Sequence, residues 1–212
     1  MTGTGLSAQR ATLPVVSAVL AAACVVGFVG GGVLGSLRTA GKPAAASASP
    51  TPVPPQPVDV ESVSATCVRE PAVDSELNEV EYRPEFAVDG DDQTGWQCRG
   101  DGAGESLELD LGAPRDVVAV GLIPGYAKVD PHDGTDWYPL NRRLTEVRWH
   151  LGETVIEQEL DPDPELRDVQ QMELPDPVRV STLRLEIVSS VPGESSAHPN
   201  VAITELRVLA AA

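Results

Sequence analysis

The feature that most constrains the fold of this chain is an alternation of apolar and polar residues that starts after Pro57. In the clearest example, Leu107, Leu109 and Leu111 share one face of a segment whose other positions are Glu and Asp. A period of two is typical of strands with one buried face. It predicts strands at residues 58–67, 105–111, 118–122, 144–151, 155–160, 168–174, 180–188 and 201–209. Such a series of short strands without intervening helices predicts an all-β sandwich or jelly roll over residues 58–212.

A second constraint comes from the N-terminal region, where residues 12–37 contain no ionisable side chain except the thiol of Cys24. An apolar helix of about 20 residues is long enough to cross a bilayer. The run therefore predicts a transmembrane anchor, with residues 1–11 as a short cytoplasmic tail. The alternative is a signal peptide cleaved near Ala44–Ala46, although the apolar part of a signal peptide is normally only about 7–15 residues long.

Residues 38–57 are rich in Pro, Ala and Ser and have no hydrophobic periodicity. This composition favours extended, solvated backbone, so the segment is predicted to be a disordered linker. Positive charges flank the anchor on both sides, Arg10 on one and Arg38 and Lys42 on the other, so charge alone leaves its orientation open. The linker composition favours a single-pass protein of the cell membrane with its C-terminal domain outside the cytoplasm.

The domain is strongly acidic. Asp59 is the first acidic residue, so all 32 carboxylates follow it, whereas three of the 15 Lys and Arg residues precede it. A surface with this charge repels phosphate groups, which excludes nucleic acid as a partner.

Sequence motifs of the common enzyme classes are absent from the chain. The histidines are His132, His150 and His198, and neither His150, in an alternating strand, nor His198, in a Ser/Pro turn, indicates an ordered general base. The sequence therefore predicts a protein that is not an enzyme.

Four segments together resemble a known family. Residues 83–96 (RPEFAVDGDDQTGW), 105–112 (ESLELDLG), 182–187 (TLRLEI) and 201–206 (VAITEL) resemble discoidin-like domains, also called coagulation factor 5/8 type C domains. Gly125–Lys128 and Leu140–Arg143 are most similar to the translocation or glycan-binding module associated with bacterial NAD glycohydrolases. The resemblance covers residues 58–209 and implies a galactose-binding-like jelly roll that acts as a binding module.

The loop that follows Val88 contains clustered acidic residues around Gly90. Carboxylate and carbonyl oxygens of this kind are the hard ligands that calcium prefers. The resemblance implies a structural Ca2+ held by this loop and by an acidic residue of the last strand, and the candidate ligands are Asp89, Asp91, Thr94 and Glu205. The alternative is a hydrogen-bonded turn, because Asp and Gly are common turn residues.

Cys67 and Cys98 are the cysteines outside the predicted anchor. In an oxidising compartment they are predicted to form a disulfide, which would also favour a location outside the cytoplasm. The alternative is two separate buried thiols.

The long loop at residues 126–143 combines aromatic side chains with hydrogen-bonding groups. Aromatic rings stack on the apolar faces of sugars and polar groups fix the hydroxyls, so this composition suits a glycan. The candidate glycan-binding residues are Tyr126, Lys128, His132, Trp137, Tyr138, Asn141 and Arg142. The alternative is that Trp137 and Tyr138 pack over the end of the sandwich while Arg142 and Arg143 pair with acids.

These observations predict a membrane-anchored, non-catalytic module that recognises a cell-wall or extracellular glycan, with calcium as a structural ion. The alternative function is that of a structural or interaction protein that docks another envelope or secreted protein, including assistance to the translocation of an effector.

Overall fold

Strands dominate the part of the chain that the computed structural model describes, residues 53–74 and 76–212. The strands in these residues are β1 (Gln56–Pro57), β2 (Ser62–Ala65), β3 (Ala72–Val73), β4 (Glu79–Val80), β5 (Trp96–Arg99), β6 (Ser106–Ile123), β7 (Arg143–Leu151), β8 (Thr154–Glu159), β9 (Gln170–Val191), β10 (Asn200–Ile203) and β11 (Glu205–Ala210). A 3-10 turn at Pro84–Ala87 and the one-turn helix α1 at Trp137–Leu140 complete them. The all-β prediction is confirmed.

The predicted tail and anchor and the linker as far as residue 52 lie outside the described residues. Among the residues that are described, no helix is long and apolar enough to cross a membrane. The end of the predicted linker differs from expectation, because Gln56 and Pro57 pair with Ala210 and Leu209 of β11. Proline is tolerated on such an edge strand, so the Pro-rich composition concealed a short element of the domain.

The two long strands β6 and β9 form the centre of the large sheet. They pair antiparallel from Ser106 opposite Glu186 to Leu122 opposite Gln170, with register shifts on the way. The sequence predicted each as two separate strands, because Gly and Pro residues interrupt the alternation at 112–114 and 175–177. In the structure these residues form irregularities that bend the strands without ending them, as bulges do.

The other strands attach to this pair. The large sheet has the order β1-β11-β6-β9-β7-β8, and β2 pairs with the first half of β6. The remaining strands form two small sheets, β5 with β10 and β3 with β4. Sequence analysis missed β3, β4 and β5, since two-residue strands carry no alternation and all but the last residue of β5 are buried.

The core lies between these layers and follows the predicted alternation closely. Its largest buried side chains include Trp96, Trp149, Leu107, Leu109, Leu183, Leu185 and Ile187. Each such side chain contributes about 1.5–3 kcal/mol when it is removed from water. The buried indoles also have hydrogen-bond partners, because Trp96 Nε1 donates to Cys67 O at 2.8 Å and Trp149 Nε1 donates to Gln158 Oε1 at 2.9 Å.

One predicted core position is different. In the sequence, Val118 alternates with Val120 and Leu122, which predicts one shared buried face, but the pairing of β6 with β11 shifts register at Val118. This bulge leaves Val118 half-buried and brings Val117 into the core together with Val120 and Leu122. An extra residue in one strand changes the face of the residues that follow it.

Cys67 and Cys98 form the predicted disulfide, with their Cα atoms 5.6 Å apart. The bridge joins the segment after β2 to β5. The Arg69 N–H also donates to the Gln97 carbonyl at 2.8 Å, so a backbone hydrogen bond next to the bridge holds the same two segments together.

Replacing both cysteines in the Cys67→Ala/Cys98→Ala variant should lower the free energy of unfolding by about 3 kcal/mol, because the bridge restricts the unfolded chain. Urea unfolding followed by tryptophan fluorescence measures the difference. A reductant should destabilise the wild-type domain by a similar amount and leave the variant unchanged. Equal stability of the two proteins under oxidising conditions would contradict the assignment.

Candidate ligand-binding site

A cavity of about 320 Å³ lies beside the sandwich core, between the β3–β4 hairpin, β5 and the loop that leads into α1. Its walls combine aromatic, charged and amide side chains, among them Arg69, Asp74, Val80, Tyr82, Gln97, Tyr126, Lys128, Asp130, Asp133, Thr135, Trp137, Asn141 and His198. We refer to it below as the hairpin cavity. Ligand pockets of proteins commonly have a volume of this order, about 300–1,000 Å³.

The floor of the hairpin cavity is an apolar cluster that is separate from the main core. Tyr82, Tyr126 and Ala202 form it, and Trp137 packs against it. The rings of Tyr82 and Tyr126 meet edge to face at 6.3 Å between centroids, and Trp137 meets His198 in the same way at 4.9 Å. These contacts fix the aromatic walls, because edge-to-face pairs are favourable arrangements of two rings.

Hydrogen bonds of Thr204 hold the start of the loop that carries Tyr126 and Lys128. The buried Thr204 hydroxyl donates to Gly125 O at 2.7 Å and accepts from the Ala127 N–H at 2.8 Å. Gly125 must lack a side chain, since a Cβ there would come within 2.6 Å of the Tyr138 ring. The loop is therefore tied to the junction of β10 and β11.

The end of the same loop is held at the start of α1. Asp136 caps the helix by accepting from the Tyr138 N–H at 3.1 Å, and both of its oxygens accept from the Arg167 guanidinium. The hydrogen bond from Arg167 holds the pKa of Asp136 below its usual value, so this carboxyl stays ionised. The side chain of Trp137 is thus presented to the cavity from a fixed helix start.

Two amide side chains in the wall are buried and only half-bonded. Gln97 Oε1 accepts from Arg69 Nη1 at 2.6 Å, and Asn141 Nδ2 donates to Trp137 O at 3.0 Å. The other polar atom of each group, Gln97 Nε2 and Asn141 Oδ1, is buried without a hydrogen-bond partner among the described residues. Buried polar atoms normally have hydrogen-bond partners, so two buried amide atoms without partners in the wall of one cavity require an explanation.

Ionisation around the cavity follows from local hydrogen bonds and burial. The backbone N–H of Asn78 lowers the pKa of Asp74, and the Thr135 side chain lowers the pKa of Asp133, so both carboxyls are negative at neutral pH. Burial raises the pKa of Tyr82 and Tyr126, and both remain neutral hydroxyls. The rim therefore offers charged acceptors while the floor offers uncharged rings.

The structure places four of the seven predicted glycan-binding residues in the wall of the cavity, namely Tyr126, Lys128, Trp137 and Asn141. His132 is not part of the lining, and its Nε2 contacts Glu76 Oε2 at 3.0 Å. This contact joins the loop that leads into α1 to the turn of the β3–β4 hairpin.

Tyr138 and Arg142 point elsewhere. Tyr138 is fully buried and its hydroxyl donates to Leu166 O at 2.8 Å, as the packing alternative expected. Arg142 donates to both the hydroxyl and the carbonyl of Ser190. Arg143 donates to backbone carbonyls of Pro162, Tyr138, Pro139 and Asn141, so these arginines satisfy main-chain groups and not the acids that the alternative proposed.

Sequence reasoning missed the other half of the cavity, including Arg69, Tyr82 and Gln97. Arg69 and Tyr82 lie in a segment without alternation, which gave no signal. Gln97 did carry a sequence signal, since it is a polar residue between the apolar residues Trp96 and Cys98.

Comparison with known proteins identifies a family and a fold for this chain. A family model described as the NAD glycohydrolase translocation F5/8 type C domain matches residues 62–209. The chain belongs to this family. The match covers more than half of the 212 residues and confirms the resemblance seen in the sequence. A search of curated proteins found no match.

Solved structures with this fold include carbohydrate-binding modules. The family 32 module of NanJ from Clostridium perfringens, in complex with galactose, is 18% identical over 73% of this chain and 98% of that chain, with a TM-score of 0.51. A Clostridium perfringens CBM32 module in complex with GalNAc-β-1,3-galactose is 18% identical over 70% of this chain and 94% of that chain, with a TM-score of 0.50. At this identity the F5/8 type C domain shares their fold.

The predicted calcium loop of the F5/8 type C domain forms hydrogen-bonded turns. Asp89 accepts from the Asp91 N–H at 3.0 Å and from Thr94 Oγ1 at 2.8 Å, and Asp91 accepts from the Gln93 N–H at 2.9 Å. Glu205 reaches the loop from β11, where its Oε2 accepts from the Gly90 N–H at 3.2 Å. The four candidate ligands therefore surround one turn.

Burial is the main influence on the ionisation of Glu205. It raises the pKa, the Gly90 N–H opposes the shift, and the nearby carboxylates of Asp89 and Asp92 add to it. Within residues 53–74 and 76–212, however, these carboxylates do not form a tight acidic cluster of three or more ligand atoms. A calcium ion would need backbone carbonyls and water as further ligands, as calcium sites commonly use. Calcium stays a prediction.

His150 has an ordered partner that the sequence did not indicate. Its Nε2 lies 2.9 Å from Glu186 Oε2, and Arg148 and Arg184 contact the same carboxylate. This network lies on β7 and β9 and does not line the hairpin cavity.

The Glu205→Gln variant tests the calcium prediction. At a calcium concentration of about 100 times the dissociation constant, the ion should stabilise the wild type by about 2.7 kcal/mol, and the variant should lose most of this gain. Thermal unfolding with calcium or with a chelator measures the effect, and Glu153→Gln, which replaces an exposed turn residue, is the matched control. Identical melting of the wild type in both conditions would contradict the site.

The same variant has a defined pH dependence without calcium. A carboxyl whose pKa is raised on folding contributes most stability below its unfolded pKa, and this contribution is lost as pH rises through the folded pKa. In chelator, Glu205→Gln should therefore weaken the decline in stability between mildly acidic and neutral pH. Urea midpoints across this range measure the decline, and parallel curves for variant and wild type would contradict the expectation.

Proposed function

We propose that this domain is a non-catalytic carbohydrate-binding module and that the hairpin cavity holds the sugar. The observation that carries the proposal is the combination, in one cavity, of aromatic walls with two buried amide groups that lack partners. Apolar sugar faces pack on aromatic rings, while hydroxyl and amide substituents require polar groups at defined positions.

The charges of the cavity also suit a neutral sugar. Arg69 lies 4.3 Å above the Tyr82 ring, and its Nη1 donates to Gln97, so its guanidinium supports the wall of the cavity. Lys128 shares the lining with three carboxylates, those of Asp74, Asp130 and Asp133. Carboxylates at the rim accept hydrogen bonds from sugar hydroxyls, whereas they repel phosphate or carboxylate ligands.

Proteins of the same fold provide a precedent, since the two Clostridium perfringens modules were solved with galactose and with GalNAc-β-1,3-galactose. The similarity of these modules to this chain extends to the fold alone. The proposal for this chain therefore depends on its own cavity.

We infer further that the domain is displayed outside the cytoplasm by residues 12–37 as a membrane anchor, with residues 38–57 as a spacer. The disulfide of Cys67 with Cys98 supports this location, because such bonds persist in oxidising compartments. In this arrangement the cavity would face extracellular or cell-wall glycans.

A second candidate function is docking of a separate protein, including assistance to its translocation. Membership of a translocation-domain family favours it. So does Leu77 at the tip of the β3–β4 hairpin, which is 84% exposed and has a φ of 67°. An exposed apolar side chain on a backbone conformation that leucine disfavours is typical of a recognition contact.

A glycan array with the full chain in detergent tests the main proposal. Reproducible binding should occur and should fall by at least about tenfold in Trp137→Ala, which removes an aromatic wall. Phe86→Ala is the control, since Phe86 is a partly buried aromatic residue outside the cavity lining. Bound glycans should be recovered unchanged.

The outcomes separate the two functions. An array without any binding, together with capture of a defined protein partner that depends on Leu77, would favour docking and contradict the carbohydrate proposal. Cleavage of an array glycan would contradict the non-catalytic role.

A further inference from the structure

Gln97 belongs to the lining of the hairpin cavity, and its hydrogen-bond partner fixes which of its polar atoms is unpaired. A guanidinium can only donate, so the atom that Arg69 Nη1 approaches at 2.6 Å must be the carbonyl oxygen of Gln97. The group left without a partner is therefore the NH2 of Gln97, a hydrogen-bond donor. Gln97 is completely buried on β5, so bulk water does not surround this donor.

The same reasoning fixes Asn141, which follows α1 on the other side of the cavity. A backbone carbonyl can only accept, so the atom that approaches Trp137 O at 3.0 Å must be the amide nitrogen of Asn141. The group left without a partner is its carbonyl oxygen, a hydrogen-bond acceptor. Only 2% of Asn141 is exposed.

The position of Asn141 is determined by the neighbouring loop as well as by α1. A Cβ on Gly193 would collide with the backbone carbonyl oxygens of Leu140 and Asn141, so the two segments touch through their main chains. The Arg142 N–H donates to Asn200 O at 3.0 Å and fixes the following residue to β10. The acceptor is consequently held rigidly, as a specificity-determining group must be.

One buried donor and one buried acceptor in an apolar-walled cavity are complementary to an amide, which supplies one carbonyl and one N–H. We propose that the ligand of this cavity is an N-acetylated amino sugar, whose acetamido carbonyl accepts from Gln97 Nε2 and whose N–H donates to Asn141 Oδ1. This inference rests on the carbohydrate-binding function proposed above and narrows it to a class of sugar.

The apolar surroundings favour an acetamido group over a hydroxyl at this position. An acetamido group carries a methyl that can pack on the cluster of Tyr82, Tyr126 and Val80. A hydroxyl would leave that surface uncovered and would satisfy the pair only by using one oxygen for both contacts.

The polar rim favours a sugar over a peptide, although a peptide bond offers the same donor and acceptor. Asp74, Asp133 and Lys128 lie in the lining beyond the apolar floor and can bond several hydroxyls of a ring. A peptide main chain has no hydroxyls to occupy these positions.

Ligand-observed NMR with the full chain in detergent tests the inference on the wild type. N-acetylglucosamine is compared with glucose, and N-acetylgalactosamine with galactose. The acetylated member of each pair should bind at least about tenfold more tightly, because a sugar without the acetamido group leaves the donor of Gln97 and the acceptor of Asn141 unpaired. The acetyl methyl protons should receive the strongest saturation transfer.

The Gln97→Glu variant tests the residue. It keeps the shape of the side chain and its contact with Arg69, but it replaces the free donor by an acceptor that opposes a carbonyl. The preference for the acetylated sugar should fall to near unity. Gln56→Glu makes the same change on the exposed strand β1 and should retain the preference.

Equal affinity of the wild type for both members of each pair would overturn this inference and leave the carbohydrate function intact. Absence of binding to these four sugars and to every glycan of an array would overturn the carbohydrate function itself. Binding of an acetyl-capped dipeptide as tightly as N-acetylglucosamine would overturn the assignment to a sugar.

Discussion

The antiparallel pairing of β6 with β9 determines where the other strands of the large sheet can lie. The two strands run side by side from Ser106 to Leu122, and their apolar residues supply much of the core. β2 and β11 pair with successive halves of β6, while β7 pairs with β9. Both long strands continue through their irregularities, as strands do at bulges. The pairing of β6 with β9 therefore connects parts of the sandwich that would otherwise need separate strands.

The hairpin cavity depends on this scaffold through a small number of ties at one side of the sandwich. The disulfide and the Arg69 N–H hold the segment after β2 against β5, and Thr204 holds the loop that carries Tyr126. The Arg69 side chain has two roles, since it packs on Tyr82 and orients the amide of Gln97. Functional loops commonly lie on a rigid β-scaffold, because the scaffold holds them in fixed positions.

Sequence periodicity predicted those strands that bury one face and expose the other. Leu107, Leu109 and Leu111 are buried as expected, whereas the Gly and Pro residues of β6 and β9 were interpreted as breaks. Whether such residues end a strand or bend it depends on the partner strand, which local sequence does not contain. Short strands such as β3 and β4 are defined by their pairing alone.

The cavity could be predicted only in part for a similar reason. Tyr126, Trp137 and Asn141 come from one loop and were found by composition. Gln97 and Tyr82 approach that loop from distant parts of the chain, brought there by the pairing of β5 with β10 and by the β3–β4 hairpin. The sequence does not show that the two amides are half-paired. This property depends on the fold, which places the Arg69 guanidinium at Gln97 Oε1 and the Trp137 carbonyl at Asn141 Nδ2.

The most direct test of the account is an NMR titration of the three tryptophan indole N–H signals with the glycan that binds. Trp96 and Trp149 donate to partners inside the core, whereas Trp137 lies in the wall of the hairpin cavity. If the hairpin cavity holds the sugar, the Trp137 signal shifts in a saturable way while the other two stay in place. Saturable glycan binding that leaves the Trp137 signal unchanged would place the sugar elsewhere and contradict the central claim.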